Sequence, residues 1–259
     1  SVMEVSRDCH VYDTGMVTII ECMGRHAGWL TAAAALAGVK GDGPDLIYLP
    51  ERDFDMDAFL ADVKRIYNEK KNCIVAVSEG VHYADGTFVS EAKTSGTDGF
   101  GHAQLGGLAA RLADVVKAAT GAKVRPIELS LLQRCAAHCA SGTDIAESFM
   151  SGKVAVEEAV AGVTDKMVGF KCTRDENGYK CEIELLPLSE VANTEKKVPR
   201  EWINEEGNGV TQEFVDYALP LINGEVAAYR AVTTGDILAF SRRTFRPENC
   251  SILIYKAKK

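Results

Sequence analysis

Several things are missing from this 259-residue chain, and each absence narrows what it can be. It has no run near the roughly 18 consecutive apolar residues that a membrane span requires. Ser1-Val2-Met3-Glu4-Val5 has neither a basic stretch nor an apolar one, so no export signal is visible there. Positive charge is in deficit: the formal net charge is -8, which argues against nucleic acid as a general partner. Any phosphate ligand must then be held by a local arginine cluster. There is no internal repeat and no low-complexity segment. The eight cysteines include no Cys-x-x-Cys pair. Cys22, Cys73, Cys172 and Cys181 sit in apolar or alternating runs and read as reduced thiols of a cytosolic protein. Cys135, His138 and Cys139 fall at i, i+3 and i+4, the spacing of a packed helix face, and three clustered ligands are too few for a zinc site.

What is present is enough apolar residue, 46%, to bury a sizeable core. The pattern alternates. Met16–Met23 reads as a buried strand, His26–Val39 as an alanine-rich helix and Asp45–Leu49 as a second strand. Met56–Lys70 is an amphipathic helix capped by Asp55, and Cys73–Val77 a β-branched strand. His102–Ala119 is a helix ending at Gly121, and Val124–Leu131 a fourth strand. Strands alternating with helices predict an α/β fold, a mainly parallel sheet with helices on both faces. After Arg134 the pattern changes. Asp144–Ala161 reads as a long helix, with Thr143-Asp144 opening it. Met167–Arg174 and Tyr179–Leu186 flank an Asn-Gly hairpin signal. Leu188–Val198 is polar and loop-like, Val210–Ile222 is helical, and the tail from Ile237 holds one apolar run, Ser251–Tyr255. A boundary near Ser141-Gly142 divides the chain into residues 1–141 and 142–259.

Chemistry-bearing residues gather where strands end. The first strand leads to Met23-Gly24-Arg25-His26-Ala27-Gly28-Trp29, two glycines and an arginine at an expected helix start, where open α/β sheets bind ligands and a helix N-terminus with a guanidinium makes an anion site. The third leads to Ser78-Glu79-Gly80, and the fourth to Gln133-Arg134. With parallel neighbours, Arg25, Glu79 and Arg134 share one sheet edge: arginine forks a phosphate and a carboxylate accepts sugar hydroxyls. Arg125 lies nine positions before Arg134, an odd offset that sends the two to opposite faces unless the strand ends first. His10, His82 and His102 carry no assignment.

The segments MGRHAGW, DLIYLPE, VSEGV, GFGHAQLGG and LQRCAAH occur in this order, and from about Arg7 to Gly162 the chain resembles the phosphofructokinase family. The resemblance implies a three-layer fold of that type, with the hairpin and later helices belonging to the returning part of a second lobe. It implies substrate contacts by the Met23 backbone and Gly24. Arg25 would neutralise charge on the transferring phosphoryl group, Glu79 would hold fructose 6-phosphate hydroxyls, and Arg134 would hold the 6-phosphate. Arg125 would reach a 6-phosphate across a subunit boundary of a homo-oligomer. Met16 and Leu131 stand where ATP-using members often carry arginine and histidine, so the pattern is closer to the pyrophosphate-dependent branch. The same departures also fit another sugar phosphate, such as sedoheptulose 7-phosphate. The alternatives are ATP as donor, or a non-catalytic sugar-phosphate-binding module.

The family's Gly-Gly-Asp donor loop and Thr-Ile-Asp-Asn-Asp catalytic segment occur nowhere in the chain. Gly41-Asp42-Gly43-Pro44 reads as a turn instead. The expectation is the carboxyl-terminal part of a longer cytoplasmic glycolytic enzyme. Its Mg2+ ligands, donor loop and base would lie in the part not represented here.

Overall fold

The computed structural model describes residues 1–90, 107–176, 178–224, 238–239 and 241–242. Ser1–Gly224 forms one compact unit and Glu225–Lys259 a second. The apolar run Ser251–Tyr255 and most of the GFGHAQLGG segment lie outside the described residues.

The first unit is built on a four-stranded, all-parallel sheet in the order β2-β3-β1-β4. These are β1 (Met16–Cys22), β2 (Leu46–Tyr48), β3 (Cys73–Ser78) and β4 (Lys123–Glu128). Every residue of β1, β2 and β3 is buried, the mark of strands covered on both faces. On one face Val17, Ile19, Val75 and Val77 pack beneath α3 (Met56–Lys70) and α4 (Leu108–Thr120). Those helices contribute Phe59, Val63 and Ile66, and Leu108, Leu112 and Val116, at helical spacing. Asp55 caps α3 by accepting the Asp57 and Ala58 N–H groups at 2.8 and 3.0 Å. Gly121 closes α4 with φ +67°.

The opposite face is covered by α1 (Val2–His10), a short α2 (Trp29–Ala32) and a 3-10 stretch, Ala33–Lys40. From further along the chain, α7 (Gln212–Ala218) brings Phe214 and Ala218 onto Ile47, Leu49 and Ala76. The fold is therefore the three-layer α/β sandwich expected. Beyond β4 come α5 (Gly142–Val160), the antiparallel hairpin β5 (Lys166–Asp175) and β6 (Gly178–Pro187), and α6 (Leu188–Val191).

Some expectations need correction. The alanine-rich helix begins at Trp29, not His26, after Gly28 as its cap residue, and most of it is 3-10. The fourth strand stops at Glu128. Ser130 adopts φ +42° and a 3-10 segment, Ser130–Arg134, follows, so Arg134 is not on a strand and the alternation argument with Arg125 does not reach it. Helix α5 is capped by Ser141, whose Oγ accepts the Asp144 N–H at 3.1 Å, and Thr143-Asp144 lies inside its first turn. Cys135 and Cys139 are exposed around a three-residue 3-10 turn, Ala137–Cys139, instead of lying on a packed helix face. Residues 2–10 had no assignment, and Leu188–Val191 is a helical turn within the segment read as loop.

Candidate functional site

The register places the ends of β1 and β3 level, Cys22 opposite Ser78, so the next residues leave the sheet together and grip each other. The Glu79 N–H donates to Cys22 O at 2.9 Å and the Gly80 N–H to Gly24 O at 3.2 Å. Ser78 Oγ donates to the same Gly24 carbonyl at 2.5 Å. In return the Gly24 N–H donates to Glu79 Oε1 at 3.1 Å. Glycine is required at both crossing points. A Cβ on Gly80 would stand 1.7 Å from Arg25 O, and Gly24 has φ +149° with Ala27 O 2.7 Å from its Cβ position.

The β4 side joins through Gln133, whose Oε1 accepts the Met23 N–H at 3.0 Å. That bond holds the 3-10 segment carrying the exposed Arg134 against the start of the Met23-Gly24-Arg25 turn. Met23, Gly24, Arg25, Glu79 and Arg134 thus come from the segments that follow three adjacent strands, Arg134 from the 3-10 stretch beyond β4. Arg125 lies apart. It is level with Thr18, four residues before the end of β1 and so about 13 Å down the strand, and its guanidinium pairs with Asp8 of α1 at 2.9 Å.

Two carboxylates that the sequence reading passed over belong to this edge. Glu51 follows β2, the one strand end left out of the sequence argument, and the same strand-end rule names it. Its Oε1 accepts both the Gly28 and Val198 N–H groups at 2.9 Å. The expected anion site at the helix start is therefore filled by a carboxylate of the chain itself. Glu51 Oε2 is buried with no partner among the described residues, and a Cβ on Gly28 would lie 2.8 Å from it. Glu21, the last charged residue of β1, is buried and accepts the Ala109 N–H at 2.8 Å, in the first turn of α4. Burial raises its carboxyl to about 7, and the charges of Glu128 and Glu79 add to the rise against the pull of the Ala109 N–H. Burial also lifts the neighbouring Cys22 thiol to about 11, leaving it unreactive.

Among the described residues there is no group of three His, Cys, Asp or Glu side chains arranged to hold a metal ion. Glu21, Glu51 and Glu79 each give an oxygen to backbone N–H groups instead of converging on one point. No described helix is long and apolar enough to cross a membrane.

Residues 4–157 match the model of the family described as Phosphofructokinase. The chain belongs to that family. It is 45% identical over 210 residues to pyrophosphate–fructose 6-phosphate 1-phosphotransferase of Halomonas elongata, covering 81% of this chain and 49% of that protein. The crystal structure of a pyrophosphate-dependent phosphofructokinase from Nitrosospira multiformis superposes with a TM-score of 0.74 at 35% identity, covering 90% of this chain and 55% of that one. A second, from Marinobacter aquaeolei, gives 0.70 at 36% identity, with 87% and 53% covered. The chain spans about half the length of the curated relatives it matches. As a phosphofructokinase-family chain it has the parallel-sheet lobe and the antiparallel hairpin in one compact unit.

Proposed function

We propose that this chain is the acceptor-side part of a pyrophosphate-dependent phosphofructokinase. The observation that carries the reading is the meeting of three strand ends. Two arginine-bearing turns are bonded to a glycine–carboxylate clasp through Met23, Gln133, Gly24 and Glu79. In the parent enzyme the 1-hydroxyl oxygen of fructose 6-phosphate attacks one phosphorus of pyrophosphate. The bridging P–O bond breaks, phosphate leaves, and the hydroxyl proton passes to a base outside this chain.

Arg134 forks the 6-phosphate. Glu79 orients sugar hydroxyls with Met23 and Gly24, and Arg25 balances the charge that develops on the transferring phosphoryl group. Arg125, set apart on the α1 face, serves the 6-phosphate of a neighbouring subunit in a homo-oligomer. Residues 1–141 form the sugar-phosphate lobe and 142–259 the returning part of the donor lobe. The Mg2+ that accompanies pyrophosphate is bound by residues outside this chain, and the enzyme acts in the cytoplasm. The identity to the Halomonas elongata protein supports pyrophosphate over ATP.

The test is fructose 1,6-bisphosphate formation by the full-length protein with Mg2+ and either pyrophosphate or ATP. Turnover with pyrophosphate is expected, and turnover only with ATP overturns the donor. In the same assay Arg134→Ala raises KM for fructose 6-phosphate at least about tenfold, the loss of one charge-assisted phosphate contact. An unchanged KM removes Arg134 from the site.

A further inference from the structure

The hairpin sets two thiols opposite each other, Cys172 on β5 being the register partner of Cys181 on β6. Antiparallel partners alternate between a hydrogen-bonded kind and a closer, non-hydrogen-bonded kind with Cα atoms about 4.5 Å apart. Parity decides which kind this pair is. The Leu188 N–H donates to Asp165 O at 3.0 Å, which makes 165 and 188 a hydrogen-bonded position one step beyond the first strand pair, Lys166 and Pro187. Counting inward, odd-numbered residues of β5 are hydrogen-bonded and even-numbered ones are not. Cys172 and Cys181 therefore face each other at the close kind, within the Cα range of roughly 4.4–6.8 Å that a disulfide spans.

Their surroundings agree. Both thiols are half-buried and reachable, and their residues face each other across the hairpin. Cys172 Sγ also lies 3.4 Å from the Tyr179 hydroxyl, which donates to Glu147 Oε1 of α5 at 2.7 Å. The pair thus sits at the point where the hairpin is bonded to α5. The other thiols among the described residues differ. Cys9, Cys22 and Cys73 are buried, and burial raises Cys22 to about 11 and Cys73 to about 12. Cys135 and Cys139 are exposed on another segment.

We propose that Cys172 and Cys181 are a modification site, closing to a reversible cross-strand disulfide by exchange with a low-molecular-weight disulfide such as glutathione disulfide. One thiolate attacks the oxidant's S–S bond, forming a mixed disulfide and releasing one glutathione thiolate. The second thiolate then displaces the other. The two cysteines give up two electrons and two protons, and glutathione disulfide becomes two glutathione thiols. Burial and its contact with Cys172 hold the Cys181 thiol at about 11, so closure is slow and set by the redox poise instead of by fast sensing. Closure also removes the Cys172 thiol from its contact with the Tyr179 hydroxyl and so alters the hold of the hairpin on α5.

The experiment equilibrates the folded protein in glutathione redox buffers, quenches with alkylating agent and maps tryptic peptides without reduction. Trypsin cuts between the two cysteines, so a disulfide joins the peptide 172–174 to the peptide 181–196. The expected result is this joined pair, two hydrogens lighter than its separate reduced members and restored to them by reductant. Cys172→Ser abolishes the joined pair and leaves Cys181 free or as a glutathione adduct. Separate glutathione adducts on Cys172 and Cys181 in the unsubstituted protein would overturn the proposal. So would two free thiols there under buffers that oxidise Cys135 and Cys139.

Discussion

Glu79 accepts the backbone N–H of Gly24 at 3.1 Å, while the Gly24 carbonyl accepts from Ser78 Oγ and from the Gly80 N–H. One residue just past the end of β1, gripped at both its flanking peptide groups, is thereby held by three consecutive residues at the end of β3. This clasp orients the Glu79 carboxylate without any ligand, so the edge is organised before any ligand arrives. Glu79→Ala loses the acceptor and destabilises the protein by about 1–3 kcal/mol, whereas Glu79→Gln keeps one and costs less. Urea midpoints of the two variants check this. Equal losses would show that the Gly24 bond contributes nothing.

Gly80→Ala is expected to be more severe. Its Cβ would stand 1.7 Å from Arg25 O and 2.4 Å from Arg25 C, both backbone atoms that cannot swing aside. The two strand ends must separate, at a cost of about 3 kcal/mol or more. The variant is predicted to lose soluble yield or to unfold at markedly lower urea. A midpoint within error of the unsubstituted protein would contradict the close approach.

Gly28→Ala tests the meeting of the first and second strand ends. The added Cβ lies 2.8 Å from Glu51 Oε2 and 2.9 Å from both Leu49 Cδ2 and Pro50 Cδ. The Glu51 carboxylate must then release the Gly28 and Val198 N–H groups. A loss of about 1–3 kcal/mol follows. Hydrogen exchange at the Val198 amide should accelerate together with Gly28's neighbours, and unchanged protection at Val198 would break the link.

Glu21 makes stability depend on pH in a definite direction. Its carboxyl is raised from 4.5 to about 7 in the folded chain. Below about pH 4.5 it is protonated in both states, and above about 7 it is charged in both. Between these limits the folded chain holds a proton that the unfolded chain has released. Stability therefore falls as pH rises through this window, by about 3 kcal/mol from this group alone. Glu21→Gln removes that slope, because glutamine keeps an acceptor for Ala109 and does not titrate. Denaturant midpoints at pH 5 and pH 8 should converge relative to the unsubstituted protein. An identical pH profile in the variant would exclude Glu21 as its source.

Asp55→Ala serves as a control away from the strand ends. It removes the cap of α3 and costs about 1 kcal/mol. KM for fructose 6-phosphate should be unchanged, and a large rise would mean that site variants report stability instead of binding.

The layered fold was legible in the sequence because its signals are local. Buried parallel strands are apolar runs, and their lengths separate them from the helices between. Asp55 caps α3 and Gly121 ends α4 by the side-chain and backbone chemistry of a single turn. Within the site, strand ends pointed to Met23, Gly24, Arg25 and Glu79, because parallel neighbours must finish on one edge. The sequence did not reveal the early stop of β4, since the left-handed Ser130 has no local composition signal.

The partners of Glu51 and Glu21 were decided by tertiary structure alone. One carboxylate accepts N–H groups 23 and 147 residues away and the other an N–H 88 residues away. Their roles depend on which backbone amides lack partners after the helices dock, and no periodicity encodes that. The pairing of Cys172 with Cys181 stands between the two cases. The Asn-Gly signal in the sequence marks a hairpin locally, but the long register from Lys166–Pro187 to Asp175–Gly178 brings the thiols face to face. Sequence by itself determined most of the strands and helices and the ends of α3 and α4, because those rest on neighbouring residues. Only the folded chain decided which buried carboxylates, amides and thiols meet, because those contacts arise once distant segments exclude water from the same place.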